Sequence, residues 1–172
     1  MKKSKLIALS ALSAAFAVIF MVIGAYIPTL DYSAIFMASL CMMIPLTKKS
    51  IKSALLTYLA TALLSSILVA GRWEVVLPFV LFFGLHPIIN YFQKEKHINK
   101  FLALAVKDVW FVLTILLVNV LFKNFIAVET AWMVKYLNYI IIFGGGIAFI
   151  VYDFLMMHFQ RAMDVIVYRL KL

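Results

Sequence analysis

Apolar residues form long uninterrupted stretches along the whole chain, separated by short polar turns. The first stretch, 6–27, carries no charged side chain and has about the 20 residues that a helix needs to cross a bilayer core. Pro28 lacks a backbone donor and biases Ile27 away from helix, so this helix is predicted to end there. The next apolar stretch, 33–46, is short for a full crossing, which predicts a helix that is tilted, partly shielded or begun in the preceding loop.

Four more apolar stretches predict helices at 53–70, 75–92, 101–122 and 137–159, followed by a tail, 160–172, that could lie on the inner membrane surface as a short amphipathic helix. Within the fourth predicted helix, Pro87 should produce a kink and free a carbonyl that needs another partner. The pattern therefore predicts an all-α, integral membrane bundle of six transmembrane helices. Because no polar linker interrupts it, residues 1–172 are expected to form a single domain.

Composition supports the membrane class. Hydrophobic residues make up 66% of the chain and charged residues 13%, and the mean hydropathy is +1.08. A water-soluble domain of 172 residues could not bury that much apolar surface.

The basic residues predict the orientation of the bundle. Three Lys or Arg lie in each of four segments: the N-terminus, the turns at 47–52 and 94–100, and the tail from 160. The opposite loops hold only Arg72, Lys123 and Lys135. The positive-inside bias then places both termini in the cytoplasm. The same bias accounts for the net charge of +9, so binding to nucleic acid is not needed to explain it. The basic residues cluster between apolar runs rather than along one face.

The N-terminus also resembles the first two regions of a cleaved signal peptide. Its apolar part is longer than the 7 to 15 residues expected of such a peptide, and no small-residue cleavage site follows, which favours an uncleaved helix. Cys41 is the single cysteine, so the chain offers neither an internal disulfide nor a multi-thiolate metal site.

Charged residues inside a membrane are costly and need a partner or a function. Lys107 and Asp153 are predicted at a similar depth, about 10 Å from the cytoplasmic ends of their helices, and a structural ion pair between them is the preferred interpretation. A proton or ion relay is the alternative. Further polar residues are expected nearby: Asp108, Tyr152, His158 and Arg161.

A second polar set lies at the predicted extracellular ends of the helices. Aromatic walls with a few amide or charged groups are typical of small-molecule sites. Asn119 and Asn138 are the stronger indicators, because an amide in an apolar helix requires hydrogen bonds that lipid cannot supply. The candidate substrate-binding residues are Tyr32, Trp73, Glu74, Asn119 and Asn138. An ordinary aromatic belt with solvated loops is the alternative for each of them.

Enzyme chemistry is not expected. The three histidines lie on separate segments without a second ligand at metal-binding spacing, and we predict neither a metal site nor a cofactor. There is no nucleotide-binding motif, so uphill transport would need an ion gradient or another subunit.

Two features resemble a known family. Ala11 and Ala15 form a small-xxx-small pair on the first predicted helix, and the loop 27–33 leads from it into a short second helix. With six crossings and both ends inside, the chain resembles the substrate-binding S components of energy-coupling-factor (ECF) transporters. The resemblance implies capture of a vitamin or related micronutrient at the outer face of a bacterial plasma membrane. It also implies that Ala11 and Ala15 dock on a transmembrane coupling subunit that is driven by two ATPases.

Two other functions stay open. The chain also resembles the small membrane subunit of the bacterial rod-shape machinery, which would make it a scaffold that contacts neighbouring proteins. It could also be an accessory membrane protein that delivers a flavin or quinone. A co-purified small molecule favours transport, whereas a stoichiometric protein partner without a ligand favours the scaffold.

Overall fold

A computed structural model describes residues 3–122 and 131–169, and every regular element in those two ranges is helical. Helix α1 (Lys3–Tyr26) ends two residues before Pro28. A short 3₁₀ turn, Pro28–Leu30, then leads directly into α2 (Asp31–Cys41), which continues after one residue as α3 (Met43–Leu46). The second apolar helix therefore begins in the connecting loop, at Asp31 rather than at residue 33.

The remaining helices alternate in direction along the bundle. Helix α4 (Ile51–Leu68) is followed by a segment that combines α5 (Trp73–Pro78), a π-helical turn (Phe79–Phe83) and α6 (His86–Glu95). Helices α7 (Lys100–Leu121) and α8 (Ala131–Arg169) complete the described chain. Residues 123–130, including Lys123 in the long predicted loop, lie outside the described residues.

Helix α8 differs from the prediction of a helix at 137–159 with a separate amphipathic tail. It is one continuous helix of 39 residues that reaches Arg169. Residues 160–169 contain neither proline nor glycine, so nothing in the local sequence ends the helix. Val167 is buried near the end of α8, which ties the last turns to the bundle.

The helix containing Pro87 is interrupted just before the proline. The Gly84 N–H bonds the Phe79 carbonyl at 2.8 Å, which is a π-type turn, and α6 begins at His86 so that Pro87 occupies its first turn. The Tyr58 hydroxyl of α4 donates to the Val80 carbonyl at 2.8 Å. A side chain from a neighbouring helix thus satisfies a backbone group in the irregular turn.

The apolar core lies mainly between α1, α2, α4 and the α5–α6 segment. Gly24 allows α1 and α2 to approach closely, because a Cβ at this position would lie 2.6 Å from the Ala34 Cβ. Nearer the start of α1, the Ser10 carbonyl accepts a hydrogen bond from the Thr57 hydroxyl of α4 at 3.3 Å.

Five helical segments are long and apolar enough to cross a membrane: α1, α4, the α5–α6 segment, α7 and α8. The α2–α3 segment, Asp31–Leu46, is a shorter apolar helix. Large apolar side chains also point outward, as at Phe101 (85% exposed) and Phe143 (71% exposed), which suits a surface in contact with lipid. The fold is all-helical and is consistent with a multi-pass membrane protein.

Candidate functional site

Four polar side chains meet inside the bundle: His86 and Asn90 of α6, Lys107 of α7 and Asp153 of α8. We call them the buried polar cluster. His86, Lys107 and Asp153 are buried, and Asn90 is half-buried. Since α6, α7 and α8 each contribute to it, the cluster joins three helices through side-chain contacts.

Asp153 is the centre of the cluster. Its Oδ1 atom lies 2.6 Å from Lys107 Nζ, 2.9 Å from His86 Nε2 and 3.1 Å from Asn90 Nδ2. Lys107 Nζ also donates to Asn90 Oδ1 at 2.6 Å. Burying an ion pair is favourable only when further hydrogen bonds complete it, and here Asn90 bonds both charged groups while His86 bonds the carboxylate.

Lys107 and Asp153, which the sequence analysis paired, are thus in direct contact. The sequence analysis did not connect His86 and Asn90 to this pair. Their spacing of four residues places both on one face of a helix, and this spacing was the sequence feature that could have indicated a shared polar site. The tertiary structure was needed to identify the facing helices.

The polar residues expected near the pair divide into two groups. Tyr152 packs against the His86 ring with centroids 4.8 Å apart, and Asp108 lies against Gly146 of α8. His158 and Arg161 are exposed. Tyr152 therefore lies at the cluster, Asp108 lies beside Gly146, and the exposed part of α8 does not contribute.

An aromatic shell encloses the imidazole of His86. Its ring centroid lies 5.1 Å from that of Phe82 and 5.7 Å from that of Phe149. Phe82 in turn contacts Trp110 and Phe111 of α7 at 4.8 and 5.1 Å. These rings exclude water from one side of the cluster, which strengthens the electrostatic interactions within it.

Three buried polar atoms around the cluster lack a hydrogen-bond partner among the described residues: His86 Nδ1, the Tyr152 hydroxyl and Asp108 Oδ1. Leaving a buried polar atom unpaired costs roughly 1–3 kcal/mol. The arrangement can therefore accept a proton or a hydrogen-bond donor.

A second charged group lies at the opposite end of the bundle. Arg72 forms an ion pair with Glu74, approaches Asp31 with Nη2 3.7 Å from Oδ2, and donates to the Ala25 carbonyl at 2.6 Å. It therefore links the end of α1 and the start of α2 to the start of α5. The Asp31 Oδ1 atom is buried and has no hydrogen-bond partner in the described parts of the chain.

The five candidate substrate-binding residues are in different environments. Tyr32, Trp73 and Asn138 are exposed, whereas Glu74 is half-buried and paired with Arg72. Asn119 is half-buried, and its Oδ1 atom is buried without a partner within residues 3–122 and 131–169. Other aromatic residues near this end are exposed as well: Tyr26, Trp132, Tyr136 and Tyr139.

Ala11 and Ala15 lie on the exposed side of α1. The buried side of the same helix is formed by residues such as Ala14, Ala17 and Met21. The proposed docking pair consequently faces away from the protein's own core.

No group of three or more His, Cys, Asp or Glu side chains that could hold a metal ion occurs within 3–122 and 131–169. Comparisons with protein-family models, curated proteins and solved structures gave no significant match.

Proposed function

We propose that this protein is the substrate-binding membrane subunit of an ECF-type uptake transporter. The observation that carries the proposal is the outward position of Ala11 and Ala15 on α1, the first membrane-spanning helix. Two small side chains one turn apart let a second helix approach the α1 backbone closely. The helix that packs against Ala11 and Ala15 belongs to a transmembrane coupling subunit, which works with ATPase subunits.

The micronutrient is held near the end of the bundle where α1 meets α2. Arg72 holds Asp31 and Glu74 beside the first connection, close in sequence to Tyr32 and Trp73. A polar ligand would satisfy the buried Asp31 Oδ1 and Asn119 Oδ1 atoms, which lack partners among the described residues. Asn138 contributes from the exposed surface of α8.

The protein spans a bacterial plasma membrane six times, with both termini in the cytoplasm. The distribution of Lys and Arg supports this orientation, since three lie in each of the four segments assigned to the inner side. The micronutrient site then faces the outside and the buried polar cluster lies nearer the cytoplasm.

The first experiment identifies the ligand. Native mass spectrometry of the detergent-purified chain is expected to detect one bound small molecule per protein. Uptake of that molecule is then measured in cells that also express the coupling and ATPase subunits.

The second experiment tests docking. Ala11→Trp and Ala15→Trp should each reduce uptake at least tenfold and leave ligand affinity unchanged, because added bulk on α1 blocks helix approach without touching the outer site. Leu63→Trp is the matched control, since Leu63 is an exposed apolar residue on α4 (65% exposed). Normal uptake by both alanine variants would refute the docking assignment.

A scaffold subunit of a cell-envelope complex is the second candidate. The observation in its favour is that Tyr32, Trp73 and Asn138 are exposed, as in an aromatic belt. Isolation of the chain with a stoichiometric protein partner and no small molecule would support the scaffold over the transporter.

A further inference from the structure

The tautomer of neutral His86 follows from the geometry of the buried polar cluster. The Lys107 ammonium group can only donate hydrogen bonds, and it lies 2.6 Å from Asp153 Oδ1, so this oxygen is an acceptor. His86 Nε2, 2.9 Å from the same oxygen, must then carry the hydrogen. In a neutral imidazole the other nitrogen, Nδ1, is therefore a bare acceptor.

Nothing in the described chain donates to that acceptor. His86 Nδ1 is fully buried without a hydrogen-bond partner among residues 3–122 and 131–169, and the His86 side chain is 0% exposed. The aromatic rings around the imidazole lie 4.8–5.7 Å away between centroids, which is ring-packing distance.

The charged groups at the cluster balance each other while His86 is neutral. Lys107 supplies one positive charge and Asp153 one negative charge, with Nζ and Oδ1 2.6 Å apart. A proton on His86 Nδ1 would give the cluster a net charge of one, so its uptake changes the electrostatics of the site.

The charged and titratable side chains that face the His86 ring come from two helices. They are Asp153 and Tyr152 of α8 and Lys107 of α7. In the described chain, α2, α3 and α4 also pack on α6 but place no charged group against the imidazole. Burial of the ring opposes the imidazolium, Asp153 favours it and Lys107 opposes it.

We propose that the buried polar cluster is a proton-binding site inside the membrane-spanning bundle, with His86 Nδ1 as the acceptor. A hydronium ion gives its proton to Nδ1 and leaves water, which converts the neutral imidazole to an imidazolium, while the Nε2–H bond to Asp153 is retained. Because the cluster joins α6, α7 and α8, uptake of the proton changes the interactions that hold these three helices together.

Nitrogen NMR of the imidazole tests the site directly. The chain has three histidines, and His97 and His158 are exposed, so the double variant His97→Gln/His158→Gln retains His86 as the single imidazole. In the ¹⁵N-histidine-labelled full chain in lipid nanodiscs we expect the Nε2–H tautomer at neutral pH. Acidification should then produce one reversible protonation step at Nδ1 while the fold is intact.

The positive charge of Lys107 provides the second measurement. Lys107 and His86 both donate to Asp153 Oδ1, so the ammonium group opposes a second positive charge on the imidazole. Lys107→Met should therefore strengthen proton binding at His86. Lys100→Met removes the same charge from an exposed position on α7 and should leave the step unchanged.

Three results would overturn the proposal. They are the Nδ1–H tautomer at neutral pH, the absence of an imidazolium signal down to the pH of unfolding, and a protonation step that is the same with and without the Lys107 charge.

Discussion

Replacement of Asp153 by asparagine should destabilise the protein strongly, although the two side chains have nearly the same shape. The substitution removes the negative charge that lies 2.6 Å from Lys107 Nζ and leaves the ammonium group, 4% exposed, with only neutral amide oxygens as close acceptors. Removing one partner of a buried ion pair costs about 3–5 kcal/mol. A change of that size lowers the unfolding temperature of a chain of this length by about 10 °C.

Unfolding in mixed detergent micelles, followed by circular dichroism, measures this loss. Asp164→Asn is the matched control because the same change is made at an exposed carboxylate of α8. Its free energy of unfolding should stay within about 0.5 kcal/mol of the original protein.

A double-mutant cycle separates the ion pair from the rest of the site. Lys107→Met alone should also be costly, because it leaves the Asp153 carboxylate without its counter-ion. The double variant Lys107→Met/Asp153→Asn should lose less than the sum of the two single variants, with a coupling energy of about 2–3 kcal/mol. Additive losses, or an Asp153→Asn variant within about 1 kcal/mol of the original, would refute the interpretation of the cluster as a mutually dependent ion pair.

Two further predictions concern the packing of the bundle. Tyr58→Phe removes the hydroxyl that donates to the Val80 carbonyl. We expect a loss of about 1 kcal/mol in the free energy of unfolding, measured in the same assay. No loss would mean that the irregular turn does not depend on this bond. Gly24→Ala places a Cβ 2.6 Å from the Ala34 Cβ and should cost about 1–3 kcal/mol. At Gly145 an added Cβ would lie 3.8 Å from the nearest atom, in the Phe111 ring, so Gly145→Ala is the control and should not destabilise. Equal losses for both glycines would contradict the close approach of α1 and α2.

Parts of the candidate site could be anticipated from the chain alone. A lysine and an aspartate within apolar helices each need a partner, and their similar predicted depth indicated Lys107 and Asp153 as one pair. His86 and Asn90 could not be assigned in the same way. Their four-residue spacing defines a helix face, but it does not indicate which charged residue on another helix that face meets.

For the candidate substrate-binding residues, the sequence predicted depth along the helix but not exposure. Depth along a helix can be read from sequence, and it placed Trp73 and Asn138 near one end of the bundle. Exposure depends on how the helices are rotated about their axes, and both residues are exposed in the folded chain. Arg72, which the sequence analysis did not select, is the residue that links Asp31 and Glu74.

Some helix boundaries follow from local sequence, whereas others depend on tertiary packing. Pro28 ends α1 through local backbone chemistry, and the sequence predicts that boundary closely. The extension of α8 to Arg169 was not predicted, because the predicted end of this helix was set by the thickness of a bilayer. The helix continues to Arg169, and packing at Val167 holds its last turns to the bundle.

The sequence by itself determined that this chain is all-helical with several segments long and apolar enough to cross a membrane, because hydropathy, segment length and helix breakers are local properties. Only the tertiary structure decided that one carboxylate, Asp153, joins α6, α7 and α8, and that Ala11 and Ala15 face outward. Those outcomes depend on the rotation and pairing of helices, which are set by contacts between residues far apart in the chain.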